Sequence, residues 1–331
     1  MLLILTNSQD ATVDYLASIL ERHGMEYLRF DTDKSISKTE LCYEEGGSYL
    51  FFEQRWYCPG DFKNVWYRRP ERLKNGRFDD SPEGNFILGE WSEALEGFFA
   101  HIPTTSWMNH PSHNVLASHK LDQLSMAKSL GFMIPATLVT QDASRLREFY
   151  ASHNGMIIVK PMARGYVERP EDQTDTLIYT NRVLEDELDN LNDLQACPTL
   201  FQEYIDKHCD VRITVVDSCL CAVELLATDR DGTQRCDIRR NNMEDVAYRC
   251  IDLPEDVKFK ILKIVEHYKL RFATIDMVID TAGRWYFLEI NPNGQWAWLD
   301  ITGGMDIASY FVKSFSESKR ESDGSTLTMK G

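Results

Sequence analysis

The segment RWYFLEINPNGQW, residues 284–296, reads as a strand running into a turn, yet Glu289 and Asn291 stand two residues apart in its apolar run. Side chains at i and i+2 of a strand share a face, so Glu289 and Asn291 point one way and Leu288 and Ile290 the other. Upstream, FATIDMVID (272–280) carries Asp276 between Ile275 and Met277 in the same manner. The connection DTAGRW makes the two segments a hairpin. A loop of Ala282-Gly283, or one of Thr281 to Arg284, sets the same register and places Asp276 opposite Glu289, with Cβ atoms about 4.5–5.5 Å apart. Two like charges facing each other there repel. A divalent cation between them turns repulsion into attraction, and two carboxylates with an amide oxygen are hard donors that suit Mg2+ completed by water and phosphate. Asp276, Glu289 and Asn291 are thus candidate metal ligands. The alternative is a pair of ordinary hairpin charges facing solvent.

Working outward, the chain has 331 residues, enough for a large core and two or three sub-domains. Its mean hydropathy of -0.38 fits a globular protein in water. No apolar run reaches the roughly 18 residues of a membrane span. The opening MLLILTNSQD is apolar for too short a run to be a signal peptide and reads as a first strand. Eight cysteines are scattered without C-x-x-C pairs, which points to reduced thiols in a cytoplasmic protein rather than a zinc site. The net charge of -16 argues against a non-specific nucleic-acid binder. It also means that an acidic substrate must be caught by local arginines, because the global field is screened beyond about 8 Å at physiological salt.

LLILT (2–6), TVDYLASILERHG (12–24) and MEYLRF (25–30) read as strand, helix and strand, a small α/β unit without the glycine fingerprint of a dinucleotide site. Strands follow at 48–53 and 64–70, and a helix at 86–102. The turn-rich WMNHPSHN (107–114) marks a boundary. Beyond it come a helix at 115–130, a strand at 136–140, a helix at 143–153 and the strand GMIIVKP (155–161). The polar MARGYVERPEDQTDT then leads to further strands at 177–180, 200–205, 210–216 and 220–227, a helix at 255–270, and the hairpin. The Ser-rich, charged segment 316–331 is expected to be disordered. Lys160 ends an apolar strand and needs an anion or water. Lys120 opens the helix after the boundary. With the hairpin, the two lysines resemble a clamp on nucleotide phosphates. Taken singly, each is more simply a solvated lysine.

The ordered set HKLDQLSMAKSLGFMIPAT, IIVKP, FQEYI, DVRITVV, TIDMVID and LEINPNG resembles the ATP-grasp superfamily over about 110–300. Finer features, LILTNSQDATVDYL, YLRFDTD, VWYRRP, IYTNRV and INPNGQW, are similar to the ligases that cross-link graspetides, the microviridin-type ribosomal peptides. That resemblance implies an α+β ATP-grasp fold: an N-terminal pre-ATP-grasp α/β domain (1–110), a central lid subdomain (111–195) and a C-terminal ATP-grasp subdomain with the metal site (196–315). It implies ATP and Mg2+ as cofactors. Lys120 and Lys160 would hold the α- and β-phosphates, Gln202, Glu203 and Ile205 would line the adenine hinge, and Asp210 would sit near the ribose. Asp276, Glu289 and Asn291 would bind two Mg2+, and Arg212 would meet the γ-phosphate or an acyl phosphate. Where the family has a glycine-rich phosphate loop, this chain has one glycine, Gly165, so Arg164 is a candidate substitute.

The implied reaction activates a Glu or Asp side chain of a precursor peptide as an acyl phosphate. A Ser or Thr hydroxyl then attacks to give an ester, or a Lys amine to give an amide. An alternative within the superfamily is a ligase that adds an amino acid to another carboxylate. Catalysis would rest on positioning and charge neutralisation by Lys160, Arg212 and Arg240, beneath a lid formed by residues 162–176. Of the paired arginines 68–69 and 239–240, Arg239 and Arg240 are expected to face the site and receive the acidic peptide, with Asn241 or Asn242 assisting. The alternative is that they pair with surface carboxylates. The expected partner is a ribosomal precursor peptide, leader and acidic core, acted on by a homodimer, with no nucleic acid or membrane involved.

Overall fold

The computed structural model describes residues 1–44, 46–74, 81–163, 165–167, 176–229, 232, 234–238 and 245–317. The first strand, β1 (Leu2–Thr6), is apolar and buried along its length. Helix α1 (Ala11–Arg22) starts where the Asp10 carboxylate accepts from Thr12 N and Val13 N, and it ends before Gly24, at φ +65°. Strand β2 (Tyr27–Asp31) returns beside β1 in parallel, as a helical crossover requires. A three-stranded antiparallel meander follows: β3 (Glu40–Glu44), β4 (Gly47–Phe52) and β5 (Arg55–Tyr57). Strand β6 (Asn64–Tyr67) lies parallel on the other side of β1. Helix α2 (Pro82–Ala100) begins earlier than the apolar spacing suggests, because Ser81 Oγ accepts from Gly84 N and Pro82 fits the first helical position. Strand β7 (Trp107–Met108) completes the parallel layer.

The single helix expected over 115–130 is two helices, α3 (Pro111–Ala117) and α4 (Lys120–Ser129), broken at Ser118-His119. Then come β8 (Thr137–Thr140), α5 (Ala143–Ser152), β9 (Ile157–Lys160), the short pair β10 (Tyr166–Val167) and β11 (Thr176–Leu177), β12 (Asn181–Arg182) and β13 (Thr199–Glu203). Four of these strands form a sheet in the order β12-β9-β13-β8, and β10 and β11 pair apart from it. One face buries Leu146, Ile157, Val183 and Phe201. Cross-strand pairing of Leu200 with Lys160, and of Gln202 with Ile158, puts Lys160 and Gln202 together on the opposite face.

The third layer is built from β14 (Lys207–Val216), β15 (Cys219–Leu226), β16 (Ala247–Ile251), α6 (Glu255–His267), β17 (Phe272–Asp280), β18 (Trp285–Asn291), α7 (Ala297–Ile301) and α8 (Ile307–Ser316). Its sheet is antiparallel, in the order β16-β15-β14-β17-β18. One face packs Val211, Ile213, Ile275, Phe287 and Ile290 in a core with residues of α4 and α6. The other face is split. Val216, Val223, Leu225 and Phe272 join Leu2, Ile4, Trp66 and α8 in a single core, while the far end of that face is polar.

The hairpin reaches the expected pairing by an unexpected route. Asp276 is opposite Glu289, but Ile279 pairs with Trp285, which leaves a loop centred on Thr281 to Gly283. Asp280 holds that loop, its carboxylate accepting from Ala282 N and Arg284 N, and Gly283 takes φ +80°. The register implied by this turn is one residue out. A bulge between the Met277–Phe287 and Asp276–Glu289 pairs restores it. The extra residue, Leu288, lets Phe287 and Ile290 both enter the core while Glu289 and Asn291 keep the polar face.

Candidate nucleotide and metal site

Strand pairing sets the site. Arg212 of β14 is opposite Asp276 of β17, and Asp276 is opposite Glu289 of β18, so three charged side chains form one row across three strands. Thr214, Thr274 and Asn291 make the next row on the same face. Arg212 Nη1 donates to Asp276 Oδ1 at 2.5 Å, and the side chains are 13% and 30% exposed. Burial raises the Asp276 pKa; Arg212 opposes that rise and Glu289 adds to it. Burial acts the same way on Glu289, yet Lys120 and Lys160 outweigh it and hold the carboxyl below its usual range.

Lys120 opens α4 and its Nζ donates to Glu289 Oε2. One turn on, Gln123 is clamped to the edge strand β18. Its Nε2 donates to Ile290 O at 2.9 Å and its Oε1 accepts from Ile290 N at 3.1 Å, as a neighbouring strand would. That clamp carries Lys120 to Glu289. Lys160 reaches the same place from the end of β9. Burial pushes its ammonium down to about 8, and Glu289, Lys120 and Asp276 are the charges that act on it.

Gln202 is fully buried; Nε2 donates to Thr137 Oγ1 at 2.9 Å, and Oε1 lacks a hydrogen-bond partner. Glu203 is occupied with the neighbouring strand, accepting from Ala136 N at 3.3 Å, and Ile205 lies half-buried beyond the end of β13. Lys207, which the sequence does not single out, donates to both Asp210 oxygens at 2.7 and 2.8 Å. Even so, burial lifts Asp210 to about 6.

The loop after β18 lies against this row. Arg212 Nη2 donates to Gln295 O at 3.1 Å, and Asn293 N donates to Asn291 Oδ1 at 2.9 Å. A Cβ on Gly294 would stand 1.8 Å from Thr274 Oγ1, so the NPNG turn admits no larger residue without a shift. Asn109, with all four amide bonds made, ties Phe272 O and Pro292 O to the N-terminal layer. Two opposed carboxylates and an amide oxygen are a donor set that fits Mg2+, the surrounding cations suit phosphate, and the partnerless Gln202 oxygen can accept from a base amino group. Arg240, Arg239, Asn241, Asn242 and Arg164 lie outside the described residues, as does most of the expected lid. Arg68, one of the pair weighed for peptide docking, is fully buried and presents nothing to solvent.

Residues 1–115 match the model of the MvdD pre-ATP grasp domain, and residues 171–315 match the RimK-like ATP-grasp domain. No curated protein sequence matches the chain. Among solved structures, the macrocyclase MdnC bound with precursor peptide MdnA, from Microcystis aeruginosa MRC, is 26% identical at a TM-score of 0.82, covering 96% of this chain and 100% of its own. A RiPP-associated ATP-grasp ligase of Chryseobacterium gregarium, in complex with ADP and a leader and core peptide, is 27% identical at a TM-score of 0.83, covering 98% and 99%. The macrocyclase MdnB from Microcystis aeruginosa MRC is 25% identical at 0.75, covering 94% and 97%. With its opposed carboxylates, paired lysines and NPNGQW turn set on that fold, the chain carries a pre-ATP grasp domain followed by a RimK-like ATP-grasp domain, as an ATP-grasp ligase does, and is similar along its length to RiPP-associated ligases of that fold.

Proposed function

We propose that the protein is an ATP-dependent peptide macrocyclase. It activates Glu or Asp side chains of a ribosomal precursor peptide as acyl phosphates and joins them to Ser or Thr hydroxyls, or to Lys amines. The observation that carries this is full-length likeness to a macrocyclase at 26% identity and to a RiPP-associated ATP-grasp ligase, held with its leader and core peptide, at 27%. It leaves the amino-acid-adding alternative without support of its own. The division into a pre-ATP-grasp domain (1–110), a lid subdomain (111–195) and a catalytic subdomain (196–315) belongs to the same proposal, as do the roles below.

Lys120 and Lys160 take the α- and β-phosphates. Lys160, whose ammonium desolvation holds down to about 8, gains a charged acceptor in the phosphate. Gln202, Glu203 and Ile205 border the adenine, and Asp210 the ribose. Asp276, Glu289 and Asn291 hold Mg2+, which supplies charge neutralisation at the phosphates. The substrate carboxylate attacks the γ-phosphorus, ADP leaves, and the peptide hydroxyl or amine then displaces phosphate from the acyl carbon. Arg212 donates to the oxygens that gain charge in both steps, held ready by Asp276. Arg240 meets the acidic core. A homodimer in the cytoplasm completes the proposal. The eight cysteines form no disulfide, and among the described residues no helix is long and apolar enough to cross a membrane.

The test is mass spectrometry of the precursor peptide encoded beside the gene, incubated with enzyme, ATP and Mg2+. Each ring should remove the mass of one water and release one ADP. A mass gain by an added amino acid instead would establish the alternative.

A further inference from the structure

Arg68, in the segment directly after β6, is sealed from solvent. A guanidinium withdrawn from water loses several kcal/mol of hydration that its partners must offset. Its partnering is divided. The nearest acid, Asp10, is 3.6 Å from Nε and already accepts from Thr12 N, Val13 N and Thr6 Oγ1 at the start of α1. Nε itself makes no hydrogen bond. The two Nη groups reach across to the loop after β18, where Nη1 donates to Asn293 O and Nη2 to Gln295 Oε1 at 2.7 Å. The Thr12 hydroxyl donates to the same Gln295 oxygen.

Two donors of the N-terminal layer therefore hold the Gln295 side chain. The main-chain oxygen of the same residue accepts from Arg212 Nη2 at 3.1 Å and from Trp298 Nε1 at 3.2 Å. Arg212 Nε is buried without a partner, so two contacts orient that guanidinium, Asp276 on one side and the Gln295 carbonyl on the other. A continuous chain runs Arg68, Gln295, Arg212, Asp276. Burial lowers the Arg68 pKa to about 9, and Arg69 and Arg212 push in the same direction. A buried charge beside another cation is poor material for stability alone, since well-packed apolar residues often serve better.

We propose that Arg68 is a positioning residue for the ligase step: through Gln295 it sets the orientation of Arg212, and the N-terminal layer thereby takes part in catalysis without touching substrate. This rests on Arg212 acting at the acyl phosphate. Arg68→Lys keeps the charge and loses the two-pronged grip. Gln295→Ala breaks the chain from the other end and leaves Arg68 in place, should the first variant fold poorly. Both should bind ADP with Mg2+ within about twofold of wild type by calorimetry, since no phosphate contact is lost. Both should slow single-turnover dehydration of the precursor by about 10- to 100-fold, the scale of a small misplacement of a reacting group. Because one chain carries the effect, Arg68→Lys should add almost nothing to Gln295→Ala, and nothing to Arg212→Ala. Wild-type turnover in Arg68→Lys and Gln295→Ala, or losses that multiply with Arg212→Ala, overturns the proposal. So does a loss matched by equal loss of ADP affinity, which marks a general structural fault. Near-normal turnover of Arg212→Ala alone removes the underlying role of Arg212, an outcome separable from failure of the Arg68 link.

Discussion

Asp276 and Glu289 face each other across one hairpin, yet their carboxyls shift in opposite directions. Burial acts on both. The difference is the partners: Asp276 has Arg212, with a lesser pull from Lys120, to set against burial and a second carboxylate, while Glu289 has Lys120 and Lys160 and then Arg212. Under the proposed function, Glu289 is thus the carboxylate whose loss should tell most on Mg2+ binding. With ADP present, Mg2+ should raise the thermal midpoint of the protein, because a ligand that binds only the folded state stabilises it. Glu289→Gln keeps the shape and removes the charge, and the Mg2+-dependent gain should vanish. A variant that retains the full gain removes the hairpin from the metal site. Lys160 offers a second check at this scale. A charge-assisted bond to phosphate contributes about 1.5–3 kcal/mol, so Lys160→Ala should weaken ADP binding by roughly 10- to 150-fold in calorimetry. Unchanged affinity would take the lysine out of the nucleotide site.

At the scale of elements, the hairpin and its following turn act as one part. The bulge at Leu288 aims Glu289, and the NPNG turn lays Gln295 against Arg212. Gly294 permits that approach by its missing side chain. Gly294→Ala would press a methyl group onto Thr274 Oγ1 and Cβ, within the ladder that carries Asp276. Overpacking of this kind costs about 1–3 kcal/mol, and the urea midpoint should fall accordingly. A midpoint within experimental scatter of wild type would mean that the turn is free to move. Much of this element was legible in the sequence, since the spacing of Asp276, Glu289 and Asn291 named the face. The register came out right because two departures cancel, a longer loop and a bulge, and neither has a signal in residue type alone. Arg68 illustrates the opposite case. The pair Arg68-Arg69 is visible as charge, but Arg69 is exposed and the depth of Arg68 is set by Gln295 and Asn293, more than two hundred residues away in the chain. The Gln123 clamp, 167 residues across the chain, has no local signal either. Lys207 and Asp210, three residues apart, and α8, with Ile307, Ala308, Phe311 and Phe315 at helical spacing, did carry signals in the sequence.

Across the whole molecule, the N-terminal layer and the C-terminal sheet share a core. Phe311 of α8 is its centre, with ring centroids 5.2 Å from Trp66, 4.7 Å from Trp296 and 5.3 Å from Phe272. Cys221 belongs to that shared core, and Cys209 to the separate core beneath α4 and α6. The two thiols are 6% and 0% exposed, and burial pushes each up to about 12. Cys197 and Cys250 are exposed. A thiol-specific reagent attacks thiolate, so reaction needs both access and deprotonation. At pH 8 a thiol with a pKa near 12 is almost wholly protonated, and raising the pH to 9 still leaves it so. Labelling of the native protein, mapped by peptide mass, should therefore modify Cys197 and Cys250 promptly and spare Cys209 and Cys221 at both pH values. In low urea the buried pair becomes a gauge of local opening. Cys221 reports separation of the N-terminal layer from the sheet, and Cys209 reports loosening of α4 and α6. If the layers act as one body, both should label together at the global unfolding transition. Cys221 labelling well before Cys209 would show that the N-terminal layer opens on its own, and with it the Arg68 link to the active site.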